Sequence, residues 1–150
     1  MRALLAALLL AATASPAAAE EWYYVADNEE GIAFADRDSL RQVGEAVAVA
    51  GFFGSADPLD IRTEPPAFVI WYEIAQFEFL CAAGQYRVTR ADSYNEHHLL
   101  EYSTDYDEAW ETVPEDSIAQ GLRGFACDGT RISQSGDPFD FADEVFFGSE

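Results

Sequence analysis

The sequence has 150 residues, 49% hydrophobic and 14% aromatic, and its 28 acidic side chains against 8 basic ones give a formal net charge of −20. That apolar content excludes a disordered chain, and the length suits one domain. The charge excludes an electrostatic hold on nucleic acid or on an anionic membrane, because both would repel it, and every basic residue is arginine.

The chain opens with Met1-Arg2 and an apolar run from Ala3 to Ala12. One positive charge, about ten apolar residues, and small side chains at Ala17 and Ala19 predict a secretory signal over residues 1–19. The run falls short of the roughly 20 residues that span a bilayer, and Ser15-Pro16 would interrupt a helix. No cysteine follows the expected cleavage point to carry a lipid. The expectation is a soluble protein of the periplasm or the extracellular space. It has no integral membrane segment, and cleavage would raise its charge to −21 by removing Arg2. Residues 20–128 read as a single α+β domain, and residues 129–150 as an acidic, aromatic tail.

Trp22 to Ala26 is aromatic and β-branched, and Asp27 to Gly31 reads as a turn before a second short strand, Ile32 to Ala35. Asp36-Arg37-Asp38-Ser39 can cap a single helical turn carrying Leu40 and Val43. Ala46 to Phe53 is a third strand. Residues 54–66 hold three prolines and predict an irregular connection or flap. The longest strand signal then runs from Ala67 to Cys81. Within it Glu73, Ala75, Phe77 and Phe79 share the more apolar face, which should meet the core.

Ala82 to Gln85 is a hairpin connection, with Gly84 able to take a positive φ. Tyr86 to Ala91 returns antiparallel and sets Arg87 opposite Glu78, and a sixth strand is expected around His98 to Ser103. Ser117 and Gln120 fit a capping box before a helical stripe of Ile118, Ala119, Leu122, Phe125 and Ala126. Gly121 and Gly124 weaken that helix but would let it approach the sheet closely. In the tail, Asp137 as N-cap, Pro138 at the first turn and Gly148 as a stop predict a short helix over residues 138–147. Its stripe of Phe141, Ala142, Val145 and Phe146 would pack on its own domain or dock on a partner.

The two cysteines, Cys81 and Cys127, allow one internal pairing, and in an oxidising compartment a disulfide is the default. Closing that loop would restrict the unfolded chain by roughly 4 kcal/mol. A redox-active pair or metal thiolates are the alternatives, but there is no C-x-x-C and no histidine near either cysteine in sequence. The bridge reads as structural.

Catalytic signals are weak. His97 and His98 stand near Asp92, Glu96 and Glu101, yet neighbouring strand residues face opposite ways, so solvated histidines fit better than a metal site. Asp105 to Glu108 and Asp137 to Glu144 gather oxygens without the spacing of a calcium loop, which suggests diffuse counterion attraction. No nucleophile elbow or phosphate-binding loop is present, and Ser39, Ser93 and Ser117 read as turn or cap residues. No catalytic, metal-binding or cofactor-binding residue is assigned, and no cofactor is expected.

The ordered series Trp22, Phe34 to Leu40, Gly44, Val47-Ala48-Val49, Phe77 to Cys81, Gln85-Tyr86-Arg87, Trp110 to Pro114, Ser117 and Cys127 resembles the surface-adhesin protein E-like family of Gram-negative envelope proteins. The resemblance spans roughly residues 22–128. The strand signals above number about five or six in an α+β fold, and the resemblance implies that they form an antiparallel sheet with a C-terminal helix packed on it, joined by a Cys81–Cys127 disulfide. It also implies an envelope protein of a class that adheres to host extracellular-matrix glycoproteins. The expected function is an exported, non-catalytic binding or adhesion-type module whose partner is an envelope or extracellular protein. The alternatives are a small periplasmic hydrolase using a carboxylate pair on envelope polymers, or an acidic structural protein with no discrete ligand. An exposed sheet edge leaves a homodimer open without supporting one.

Overall fold

Alternating and β-branched runs form the strands, and nearly all of them join one sheet. The computed structural model describes residues 21–28 and 31–148. The expected export signal, residues 1–19, lies outside the described residues. The strands are β1 (Trp22–Asn28), β2 (Gly31–Val43), β3 (Ala46–Gly54), β4 (Asp60–Arg62), β5 (Phe68–Ile70), β6 (Tyr72–Leu80), β7 (Gln85–Tyr94), β8 (Leu100–Asp105), β9 (Glu111–Thr112) and β10 (Ser133–Gln134). The helices are α1 (Ile118–Asp128) and α2 (Pro138–Phe146). Among the described residues the main sheet has eight antiparallel strands in the order β10-β1-β2-β3-β6-β7-β8, with β9 also on β7, while β4 and β5 pair separately. The strands of this sheet that no sequence signal announced, β9 and β10, are two residues each and too short to alternate.

Both faces of the sheet are apolar, and each is covered by one helix. On one face Val25, Ala33, Ala35, Val49 and Phe79 bury Leu122 and Phe125 of α1. On the other Trp22, Ile32, Phe34, Phe52 and Tyr72 bury Ala142 of α2, with Phe139 and Phe146 against them. Two-sided burial explains why β3 reads as a nearly continuous apolar run. The tail helix therefore lies on its own sheet, where its stripe faces ring contacts such as Phe34–Phe141 at 5.2 Å. Cys81 and Cys127 are joined, with Cα atoms 5.6 Å apart, clipping the end of β6 to the last turn of α1.

Three local expectations are corrected. No helical turn forms after Asp36; β2 continues to Val43 through a bulge between Asp36 and Arg41. The polar side chains still bond to backbone, because Asp36 accepts from the Asp38 N–H and Ser39 accepts from the Ala50 N–H. Turn-forming and cap-forming chemistry are the same chemistry, and here it shapes a bulge. The strand expected from Ala67 to Cys81 is divided at Trp71, with β5 pairing to β4 of the flap and β6 pairing to β3. Ser117 caps α1 by accepting from the Gln120 N–H, but the Gln120 side chain accepts from Asp116 N–H and not from Ser117, so the box is only half closed.

The two helix glycines prove unequal. A Cβ on Gly121 would lie 2.7 Å from the Val25 carbonyl oxygen and 2.9 Å from Ala26 Cβ, so this glycine sets how closely α1 meets β1. A Cβ on Gly124 would meet only Thr130 at an ordinary 3.6 Å. Gly121→Ala is expected to lower stability by about 1–3 kcal/mol through overpacking, and Gly124→Ala to raise it by up to about 1 kcal/mol through helix propensity. Urea unfolding of the two variants checks the opposite signs.

Candidate binding cleft

Side-chain size, read across the strands, produces a depression in the sheet. Gly51 of β3 pairs with Ala75 of β6, and Ala75 pairs with Ala91 of β7, so three minimal side chains lie in one row. The next row on one side is Val49, Phe77 and Val88; on the other it is Phe53, Glu73 and Ser93. α1 packs across β1, β2 and β3 but barely reaches β6, leaving the far part of this face uncovered. The result is a cleft of about 350 Å³ with its floor at Gly51 and Ala75. Its walls are Phe77, Tyr86 and Val88 on one side and Ile118, Ala119 and Leu122 of α1 on the other, with Pro114 and Ser117 at the lip. Gly51 is required there, since an added Cβ would stand 3.0–3.1 Å from the Leu122 methyls and the Phe77 ring.

Glu73 is the only carboxylate among the described residues that line the cleft. It is half-buried, and among the described residues its carboxylate meets neither a hydrogen-bond donor nor a cation. Desolvation pushes its carboxyl above the usual carboxylate range. The hydroxyls of Tyr86 and Tyr106 are raised as well, first by burial and then by nearby carboxylates, with Glu73 the leading one for Tyr106. A carboxylate in an apolar setting is suited to holding a ligand. Ser117 is committed to capping, donating to the Pro114 carbonyl at 2.7 Å and accepting from the Gln120 N–H.

The other sequence candidates are dispersed. His98 takes a positive φ of 61° in the turn after β7, and its Nε2 lies 3.0 Å from an Asp143 oxygen of α2. His97 is exposed, 3.7 Å from Glu96. Asp92 pairs with Arg90 at 2.9 Å, and Glu101 accepts from Asn95. Among the described residues no group of three or more His, Cys, Asp or Glu side chains could hold a metal ion. The acidic runs divide in the same way: Glu108 accepts from the Val88 N–H, Asp137 caps α2, and Asp143 accepts from Tyr72 and meets His98. Ser39 bonds within the bulge, whereas Ser93 is a buried strand residue of β7 and not a turn. Arg87 donates to Glu78 through Nε and Nη2 at 2.9 and 2.7 Å, in the expected cross-strand position, and its guanidinium lies 4.6 Å from the Trp110 ring centre. Among the described residues no helix is long and apolar enough to cross a membrane.

Sequence reasoning placed Glu73 in the core-facing row but gave it no role. The available signal was one acid in a row otherwise made of Ala75, Phe77 and Phe79. The cleft itself needs the pairing of β3, β6 and β7, which is non-local.

Comparison with known proteins agrees with this architecture. No curated protein matches the chain. Two crystal structures of Haemophilus influenzae protein E are similar in fold. The first, crystal form II, is 13% identical with a TM-score of 0.53, covering 82% of this chain and 98% of that one. The second, from the non-typeable organism, is 12% identical with a TM-score of 0.50, covering 81% and 83%. The family model for surface-adhesin protein E matches residues 22–128, from the first residue of β1 to the last of α1, and the chain accordingly belongs to the surface-adhesin protein E family.

Proposed function

We propose that this chain is an exported, non-catalytic binding protein of adhesin type that takes its ligand in the cleft over β3, β6 and β7. Residues 1–19 are its removable signal, and the mature protein works in the periplasm or outside the cell. Residues 20–128 form the binding domain, and the tail serves as its second cover. The observation that carries this reading is the cleft's lining: a mainly apolar surface with, among the described residues, Glu73 as its one carboxylate. Concave, mostly apolar surfaces with few polar groups are the usual form of ligand sites. Family membership supports adhesion as the class of function.

The test is retention of purified extracellular-matrix glycoproteins on the immobilised mature protein, beside a Val88→Trp variant that fills the cleft wall. Saturable binding that weakens at least about tenfold (about 1.4 kcal/mol) in the variant is expected. Equal binding by both proteins, or binding that vanishes at moderate salt, would remove the cleft from the function.

A further inference from the structure

We infer that the cleft selects a basic side chain, the apolar stem and charged head of an arginine or lysine on a partner polypeptide. This rests on the cleft being the ligand site. The stem requires apolar walls, and Phe77, Val88, Ile118 and Leu122 supply them around the small floor of Gly51 and Ala75. The head requires an anion at the end of that path, and Glu73 projects into the cleft from the row next to the floor. Long basic side chains lie along apolar surface with only the head needing polar company, so these two demands belong to one kind of group.

Among the described residues, no hydrogen-bond donor or cation answers Glu73. There is no lysine in the sequence. The arginines of β7 and α1 are engaged elsewhere: Arg87 with Glu78 at 2.7 Å, Arg90 with Asp92 at 2.9 Å, and Arg123 with Asp128 at 3.5 Å and the Cys81 carbonyl at 3.1 Å. Arg41 and Arg62 are exposed, but a charge of −20 on each copy opposes the approach of a second copy of this chain, so a different, basic protein is the fitting donor of the cation. A formal charge of −20 draws such a segment towards the surface and turns away acidic competitors. The volume of about 350 Å³ is at the small end for ligand sites and suits a few side chains of a peptide segment. Burial raises the carboxyl of Glu73, and a cation beside it would act in the opposite direction, so the ligand supplies the charge compensation that the fold leaves out.

The probe is a capped heptapeptide carrying arginine between two leucines, titrated into the isotope-labelled protein at about 0.15 M salt, near the physiological value. Companion peptides replace the arginine by glutamine or by glutamate. Saturable amide shifts at Gly51, Ala75 and Ile118 are expected. The arginine peptide should bind at least about tenfold tighter than the glutamine peptide, the ratio for one charge-assisted hydrogen bond. The glutamate peptide should give no saturable shift. In Glu73→Gln the arginine preference should fall to within about twofold while the glutamine peptide binds as before. This variant keeps the shape and removes a desolvated charge, so its amide spectrum should stay folded. If no peptide shifts the cleft residues, the cleft reading itself fails. If arginine and glutamine peptides bind alike, or Glu73→Gln retains the preference, the cleft stands and the cation selectivity is overturned. Shifts scattered over the acidic surface, unchanged in Glu73→Gln, would also overturn it.

Discussion

Replacing Cys81 and Cys127 together by alanine is expected to lower the unfolding free energy by about 4 kcal/mol, as read by urea unfolding. The bridge closes a sequence separation of 46 residues that contains β7, β8, β9 and almost all of α1. Cross-linking a loop of that length removes roughly 4 kcal/mol of conformational freedom from the unfolded ensemble. Typical small domains are stable by about 5–15 kcal/mol, so the loss should be conspicuous. The effect should also be local in the folded state. A polar tie at this end is the Arg123 bond to the Cys81 carbonyl at 3.1 Å, from a guanidinium whose buried Nε has no hydrogen-bond partner among the described residues. Hydrogen exchange should therefore rise first in the last turn of α1, before the Gly129 cap, while β2 and β3 keep their protection. A loss under about 1 kcal/mol would mean that the packing of Leu122 and Phe125, and not the bridge, holds α1 on the sheet.

What could be read from the sequence follows the range of the interactions concerned. Ser117 and Asp137-Pro138 announce helices because capping is settled within three residues, and α1 and α2 begin where those signals stand. The row Glu73, Ala75, Phe77, Phe79 turns to the α1 face because strand alternation has a fixed period. Gly84, with φ of 63°, closes the hairpin for the local reason expected of it. The failures are of longer range. Asp36 to Ser39 satisfy one another in a bulge as well as they would in a helical cap, and pairing to β3 decides between the two. Trp71 divides an apolar run because its two sides find different partners, β4 and β3. His98 meets Asp143 across a separation of 45 residues, which no local pattern announces. The cleft belongs to this second class, since the floor of Gly51 and Ala75 and the wall of Phe77 and Val88 come together only when three strands are in register.

Phe139→Ala is expected to cost about 3–5 kcal/mol, the usual range for deleting a packed aromatic side chain, and to release α2 from the sheet as a unit. α2 has nine residues, too few to persist as a helix on its own propensity, so tertiary contacts must hold it. Phe139 makes four ring contacts with the sheet and its loop, with its ring centre 4.9 Å from Phe52, 5.3 Å from Tyr72, 5.2 Å from Tyr94 and 4.8 Å from His98. The polar anchor beside it is Asp143, which accepts from the Tyr72 hydroxyl and lies against His98. Burial first, and then the Asp143 carboxylate, push the Tyr72 hydroxyl well above the ordinary tyrosine range, so it remains a donor at any working pH. Asp143→Ala should cost less, about 1–3 kcal/mol, chiefly by leaving that hydroxyl unsatisfied. Phe34 and Phe52, now fully buried, would be uncovered in Phe139→Ala, and an apolar dye should bind the variant strongly. Because α2 and the cleft occupy opposite faces, the heptapeptide titration should be unaffected in any fraction that remains folded. Amides of α2 that stay as protected as in the parent protein, with no gain in dye binding, would show that the helix is held by its backbone and by Ala142 and Phe146, and not by the ring of Phe139.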